Sequence, residues 1–198
     1  MSLIIRNIQI ISPRSPLHGA TEIGIDQHTF VDPTELTNAA EIDGNVGWLV
    51  PGLIDLRINL REPGLEHKGT IASETRAAIA GGVTSVVATP ITDPVVDSPA
   101  DVRLVLERAK ESGYCRVFPT AMLTQGGEGN HLSEMAALID AGCVALAQGN
   151  RPFNSRKIEL NALKYAQSLG IRVILDSESR DFAEGCAHAG QIGPGLGL

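Results

Sequence analysis

From residue 51 onward, apolar runs alternate with amphipathic stretches at a steady spacing. Residues 52–59 form an apolar run, and residues 69–80 carry a helical pattern that ends at Gly81-Gly82. TSVVAT (84–89) reads as a buried strand. Ser98 is placed as an N-cap with Pro99 at the first helical position, and the helix DVRLVLERAKES stops at Gly113. The same unit recurs as strand CRVFPT (115–120), helix 132–141 and Gly142. It recurs again as strand CVALA (143–147), a helix from Ser155 to Gly170, and strand IRVILD (171–176). Strands beginning near 52, 84, 115, 143 and 171 lie about 30 residues apart, the length of a βαβ unit. None of these runs alternates with polar residues, so both faces of each strand are covered, as in a parallel sheet.

Residues 1–50 follow a different pattern. Residues 3–11 form a short apolar strand, with further candidates at 22–25, 40–42 and 47–50. Ser12-Pro13, Asp32-Pro33 and Asp43-Gly44 separate them. The expected organisation is a small β unit over 1–50 and an α/β unit over 51–198.

Composition narrows the function classes. The net charge of −7 opposes nucleic acid and anionic membrane surfaces as partners, since both need basic patches. No apolar stretch approaches the roughly 18 residues of a membrane span. MSLIIRNIQIIS carries Arg6 within its apolar run and lacks the layout of a signal peptide, so a cytoplasmic location is the expectation. Cys115, Cys143 and Cys186 are far apart and form no CxxC pair, which opposes a disulfide framework or a structural zinc site. Cys115 and Cys143 read as small buried hydrophobes.

Five βα units fit either a doubly wound sheet or the first part of an eight-unit barrel. No GxGxxG follows the first strand and no P-loop is present, which removes support from nucleotide-binding sheets. A closed barrel needs about 250 residues, so the sheet is open or the chain stops before closure. Three segments carry a resemblance that decides between these. PGLIDLRINLREPG (51–64) resembles the first barrel strand of dihydroorotases of the amidohydrolase superfamily, whose pattern is PGxIDxHxHxREPG. GGVTSVVATPITDPVVDSP (81–99) resembles that family's GGxTxVxxMPNTxPxxD, and residues 181–198 resemble its stretch after the fifth strand. The resemblance implies a (β/α)8 TIM-type barrel, here incomplete after about five units, with a small flanking β-sandwich. The closing GPGLGL reads as a loop, so a truncated chain is expected.

The same resemblance shows what the chain lacks. The family uses zinc to generate hydroxide and polarise a cyclic amide carbonyl. A His-x-His pair on a strand presents both imidazoles to one side, because side chains alternate. Those positions are Arg57 and Asn59 here. Arginine has no lone pair to give, and asparagine offers only a neutral oxygen. At the family's fourth strand end the chain has Gln148-Gly149-Asn150, with no carboxylate, and at the fifth it has Asp176 in place of a histidine. His18, His28, His67, His131 and His188 are scattered off the strand ends. Of the family's substrate-carboxylate clamp, Arg61 remains as a vestige, but the asparagine position is Ile91. The plainer reading of Arg61 and Glu62 is a turn held by an ion pair beneath Pro63-Gly64.

The expectation is therefore a dihydroorotase homologue with no catalytic residues, no metal ligands and no cofactor. The resemblance implies a structural or regulatory role in an oligomer with aspartate transcarbamoylase, in pyrimidine biosynthesis. Two alternatives stand beside it. One is an active cyclic-amide hydrolase with altered, oxygen-rich ligands drawn from Asp55, Asn59, Asp176 and Glu178. The other is an anion-binding module using Arg57 and Arg61.

Overall fold

A computed structural model of the chain describes residues 2–176. Their elements are strands β1 (Ser2–Ile10), β2 (Ile23–Asp26), β3 (Thr29–Val31), β4 (Ala40–Leu49), β5 (Leu53–Ile58), β6 (Val83–Ala88), β7 (Arg116–Met122), β8 (Ala145–Gly149) and β9 (Arg172–Leu175). The helices are α1 (Ile71–Ala80), α2 (Pro99–Ser112), α3 (Met135–Asp140) and α4 (Arg156–Ser168). Internal contacts divide the chain into two units, Met1–Gly52 and Leu53–Leu198.

The first unit is a four-stranded mixed sheet of order β3-β2-β1-β4. β1 pairs antiparallel with β2 and parallel with β4. Ile8, Ile10 and Ile23 form its small core. The two short strands expected at 40–42 and 47–50 are one strand. Gly44-Asn45-Val46 interrupts the apolar pattern because it is a bulge: the β1–β4 register shifts there, and Asn45 and Val46 take positive φ. The turn residues read as a break are absorbed within the ladder.

The second unit is a parallel five-stranded sheet in which every strand neighbours the next in sequence, β5-β6-β7-β8-β9. A doubly wound sheet reverses its strand order at a switch point. This one does not reverse, which is the winding of a barrel, and the sheet curls as part of one. The helices cover one face. Their buried positions fall three or four apart, as one helical stripe requires: Ile71 and Thr75 on α1, Val102 and Val105 on α2, Met135 and Leu138 on α3, Ala162 and Ala166 on α4. These pack on Val86, Val117 and Leu146 of the sheet in one continuous core. Each fully buried Val or Leu side chain contributes about 1.5–3 kcal/mol of apolar transfer energy.

Local signals fix the helix starts. Thr70 on α1 and Ser98 on α2 each accept from the third helical N–H, while Ser73 and Asp101 reach back in reciprocal capping boxes. The third helix begins at Met135 rather than at 132. Leu132 bridges to Thr124, and the Ser133 hydroxyl donates to the Met122 carbonyl at 2.6 Å, which holds the chain in a loop until Glu134. Cys143 is buried in the core and Cys115 packs against it, as expected of small hydrophobes, while Cys186 lies outside the described residues. Burial pushes the Cys143 thiol up to about 11.

Candidate functional site

In a parallel α/β sheet, chemistry concentrates where the strands end at their carboxyl termini. The described structure has a small cleft at that edge, about 20 Å³ in volume, lined by residues of β5, β6, β7, β8 and β9 and the turns that follow them. Alternate residues line it from the later strands, Ala147 and Gly149 from β8 and Ile174 and Asp176 from β9 onward, whereas consecutive residues 87–91 line it at and beyond the end of β6. Most of the walls are apolar.

Two charges meet in this cleft. Arg57 Nη1 lies 2.6 Å from Asp176 Oδ1, and Nη2 donates to Oδ2 at 2.9 Å. The pair is bidentate, the strongest geometry available to a guanidinium and a carboxylate. It ties the end of the first parallel strand to the end of the fifth, across 119 residues of sequence. The Asp176 side chain is 14% exposed and that of Arg57 is 54% exposed. Arg57 is further fixed through its backbone N–H, which donates to Asp55 Oδ1 at 2.8 Å. Asp55 thus serves the strand locally.

Asn59 stands at the same edge, and its Oδ1 accepts from the Thr89 hydroxyl at 2.6 Å. Gln148 is not brought to the cleft. It lies between Ala147 and Gly149, so its side chain leaves the sheet on the opposite face, and it is 1% exposed. There its Nε2 donates to Thr124 Oγ1 at 2.8 Å and to the Gly127 carbonyl at 3.3 Å, beneath the turn after β7. Ile91 takes a place in the cleft wall, and a Cβ on Gly149 would press against its side chain at 3.1 Å.

The REPG turn differs from its expected reading. No ion pair joins Arg61 and Glu62. Glu62 Oε2 instead accepts from the backbone N–H of Ile71 at 2.9 Å, capping α1. Arg61 adopts φ +68, and its carbonyl accepts from Leu65 N at 3.1 Å. Among the described residues its guanidinium has no hydrogen-bond or salt-bridge partner. Gly64 is required at φ +88, where a Cβ would run into the Asp93 carbonyl. Asp93 N in turn donates to Pro63 O at 3.1 Å, so the two turns after β5 and β6 are locked together.

Among the described residues, the donors at the strand ends do not form a zinc-hydrolase ligand set. The Asp176 carboxylate is held by Arg57 and the Asn59 oxygen by Thr89. Of the histidines, His18 accepts from Ser12 N at 3.3 Å, and His28, His67 and His131 are exposed; none lines the cleft. His188 and Glu178 lie outside the described residues. Among the described residues no group of three or more His, Cys, Asp or Glu side chains is placed to hold a metal ion. A fixed guanidinium also repels a dication at short range.

The family model for dihydro-orotase-like proteins matches residues 47–190. The chain belongs to the dihydroorotase-like family. A "Dihydroorotase-like protein" of Pseudomonas aeruginosa is 42% identical over 203 aligned residues, covering all of this chain and 48% of that protein. A "Dihydroorotase" of Trichlorobacter lovleyi is 36% identical over 203, again covering all of this chain and 48% of its own length. The chain thus spans about half the length of the curated relatives it matches. In fold it is similar to the L-hydantoinase (dihydropyrimidinase) of Arthrobacter aurescens, with a TM-score of 0.75 over 90% of this chain and 41% of that one, at 16% identity. The dihydroorotase-like chain therefore carries the fold of part of that L-hydantoinase, a run of parallel βα barrel units, together with a separate β unit. Among the described residues no helix is long and apolar enough to cross a membrane.

Proposed function

We propose that this dihydroorotase-like chain is catalytically inactive and acts as a structural or regulatory partner of aspartate transcarbamoylase in pyrimidine biosynthesis. The observation that carries the inactivity is the Arg57–Asp176 pair. Two positions at which the family's zinc chemistry places imidazoles are joined to each other, and a permanent organic cation stands among the strand ends. Removing one ligand by drift leaves a weakened metal site. Filling two positions with a matched acid and base leaves a satisfied one, which needs no metal to neutralise it. The capping boxes, the core and the locked turns hold the scaffold together without any contribution from a metal, which supports a structural role.

The test has two arms. Purified chain analysed for metal is expected to hold far below one equivalent of zinc and to show no hydrolysis of dihydroorotate. Co-expression with the aspartate transcarbamoylase of the same organism is expected to give a co-purifying assembly. One zinc per chain, or measurable hydrolysis lost in Asp176→Ala, sinks the inactive reading. A chain that never associates with aspartate transcarbamoylase sinks the partner reading.

A further inference from the structure

We propose that the Arg57–Asp176 pair is a clasp that sets the curl of the parallel sheet by bracing its two outer strands against each other. Strand spacing decides which shapes of the sheet allow the pair. β5 and β9 stand at opposite ends of the order β5-β6-β7-β8-β9. In a flat sheet their residues would lie four strand spacings apart, roughly 19 Å. An arginine and an aspartate joined end to end reach about 13 Å at most between their Cα atoms. The bidentate pair, with contacts of 2.6 and 2.9 Å, therefore exists only in the curled sheet. An interaction made in one of two arrangements and not in the other shifts the balance toward the first.

The outer strands are where such a brace has leverage. Most of β7 and β8 is buried, and the core holds those strands. Every residue of β5 and β9 is exposed or half-buried, and each strand pairs on one side only among the described residues. The ladders also loosen beside the pair. The β5–β6 register shifts between Asp55 and Ile58, so Arg57 falls in the irregular stretch, and its backbone N–H donates to the Asp55 carboxylate. The β8–β9 register shifts between Ala147 and Gly149, next to the end of β9. Packing and ladder are both weak at the two strand ends that the pair joins.

Charge and shape suit the task. The Asp176 side chain is 14% exposed, so loss of Arg57 leaves a largely buried carboxylate without a counter-charge, which costs more than losing an exposed pair. Two parallel N–H bonds fix angle as well as distance and resist twisting of one strand end against the other. The clasp is independent of catalytic inactivity: neither requires the other.

Double electron–electron resonance reads the curl directly, between nitroxide-bearing unnatural residues placed at Ile54 on β5 and Leu175 on β9. Both positions are exposed and lie outside the cleft lining. Wild type is expected to give one narrow distance distribution. Arg57→Ala and Asp176→Ala should each broaden it and lengthen the mean by about 3 Å or more, part of the way to the flat separation. The double variant should match either single one, because partners in one clasp share a single effect. Charge exchange, Arg57→Asp/Asp176→Arg, should draw the distance back toward wild type. An unchanged distribution in both single variants overturns the proposal, as do effects that add in the double variant. Where an alanine variant does not fold by circular dichroism, Asp176→Asn, which keeps the outline of the side chain and removes its charge, is read in its place. If that variant also fails to fold, folding of the charge-exchanged chain supports the clasp and its unfolding ends it. Zinc content and dihydroorotate hydrolysis, which decide the preceding reading, do not enter these distances.

Discussion

Gln148 sits under the turn after β7 with both ends of its amide engaged: Thr124 Oγ1 lies 2.8 Å from Nε2 and 3.1 Å from Oε1. Thr124 is itself fully buried and also accepts from Gly129 N at 3.0 Å. Replacing Gln148 with Leu keeps the volume but leaves the Thr124 hydroxyl proton without its acceptor and the Gly127 carbonyl without its donor. A buried polar group left unpaired costs about 1–3 kcal/mol, so Gln148→Leu is expected to lower stability by about 2 kcal/mol in urea unfolding. A Gln148 directed at the cleft would cost far less. Cys143 gives a pH test at the same scale. Its folded-state pKa is raised to about 11 by burial, above the roughly 8.5 of a free thiol. The unfolded chain loses the proton first, so the contribution is intact below about pH 8.5 and is lost as pH rises through 11. Urea midpoints at pH 8 and pH 10.5 are expected to fall further apart for wild type than for Cys143→Ala. Which residues stand at the strand ends was legible in the sequence, because the repeat places those ends. What each side chain pairs with was not. Arg57 and Asp176 meet only because the sheet curls, and nothing local to either residue signals a partner 119 positions away. The direction of Gln148 needed the register of β8, which a one-residue shift would have reversed.

At the scale of elements, the helices and parallel strands were readable because each combines an apolar run with a cap. Thr70, Ser98 and Ser155 all cap where the pattern begins. The misreadings share a cause, which is competition from contacts distant in sequence. β3 is three residues long with Thr29 and Phe30 exposed, and it exists because β2 lies beside it. The start of α3 is delayed by the Thr124–Leu132 bridge. Glu62 belongs here too. Its carboxylate caps α1 from nine residues upstream, in addition to the reciprocal box of Thr70 and Ser73. A carboxylate at a helix N-terminus satisfies an otherwise unpaired N–H and faces the positive end of the helix dipole. Glu62→Ala is expected to cost about 1 kcal/mol. Hydrogen exchange would locate it: protection should fall at Ile71 through Glu74 and hold at the centre of α1. A fall spread evenly over the second unit would mean that the REPG turn stabilises through something other than this cap.

For the molecule as a whole, the decisive feature is the edge of each unit taken by itself. In the second unit β5 pairs only with β6 among the described residues, yet Leu53, Ile54 and Leu56 are 56%, 63% and 69% exposed. An outer strand rich in exposed apolar residues is a template for further pairing, and proteins that stay apart blunt such edges with charge. The first unit has a comparable edge in β4, where Val46 is 76% and Trp48 73% exposed. The net charge of −7 opposes association only at long range and does not mask either strand. The isolated chain is therefore expected to self-associate in sedimentation velocity and to enhance the fluorescence of a hydrophobic dye. Ile54→Lys and Trp48→Lys separate the two edges. A lysine on an edge strand adds a charge that a partner strand would have to desolvate, while leaving the existing ladder intact. If β5 carries the contact, Ile54→Lys shifts the sedimentation profile toward monomer with unchanged far-ultraviolet circular dichroism, and Trp48→Lys leaves it as it was. The reverse pattern would assign association to the small β unit. It would also make β4, rather than the barrel edge, the first surface to mutate when the proposed association with aspartate transcarbamoylase is tested.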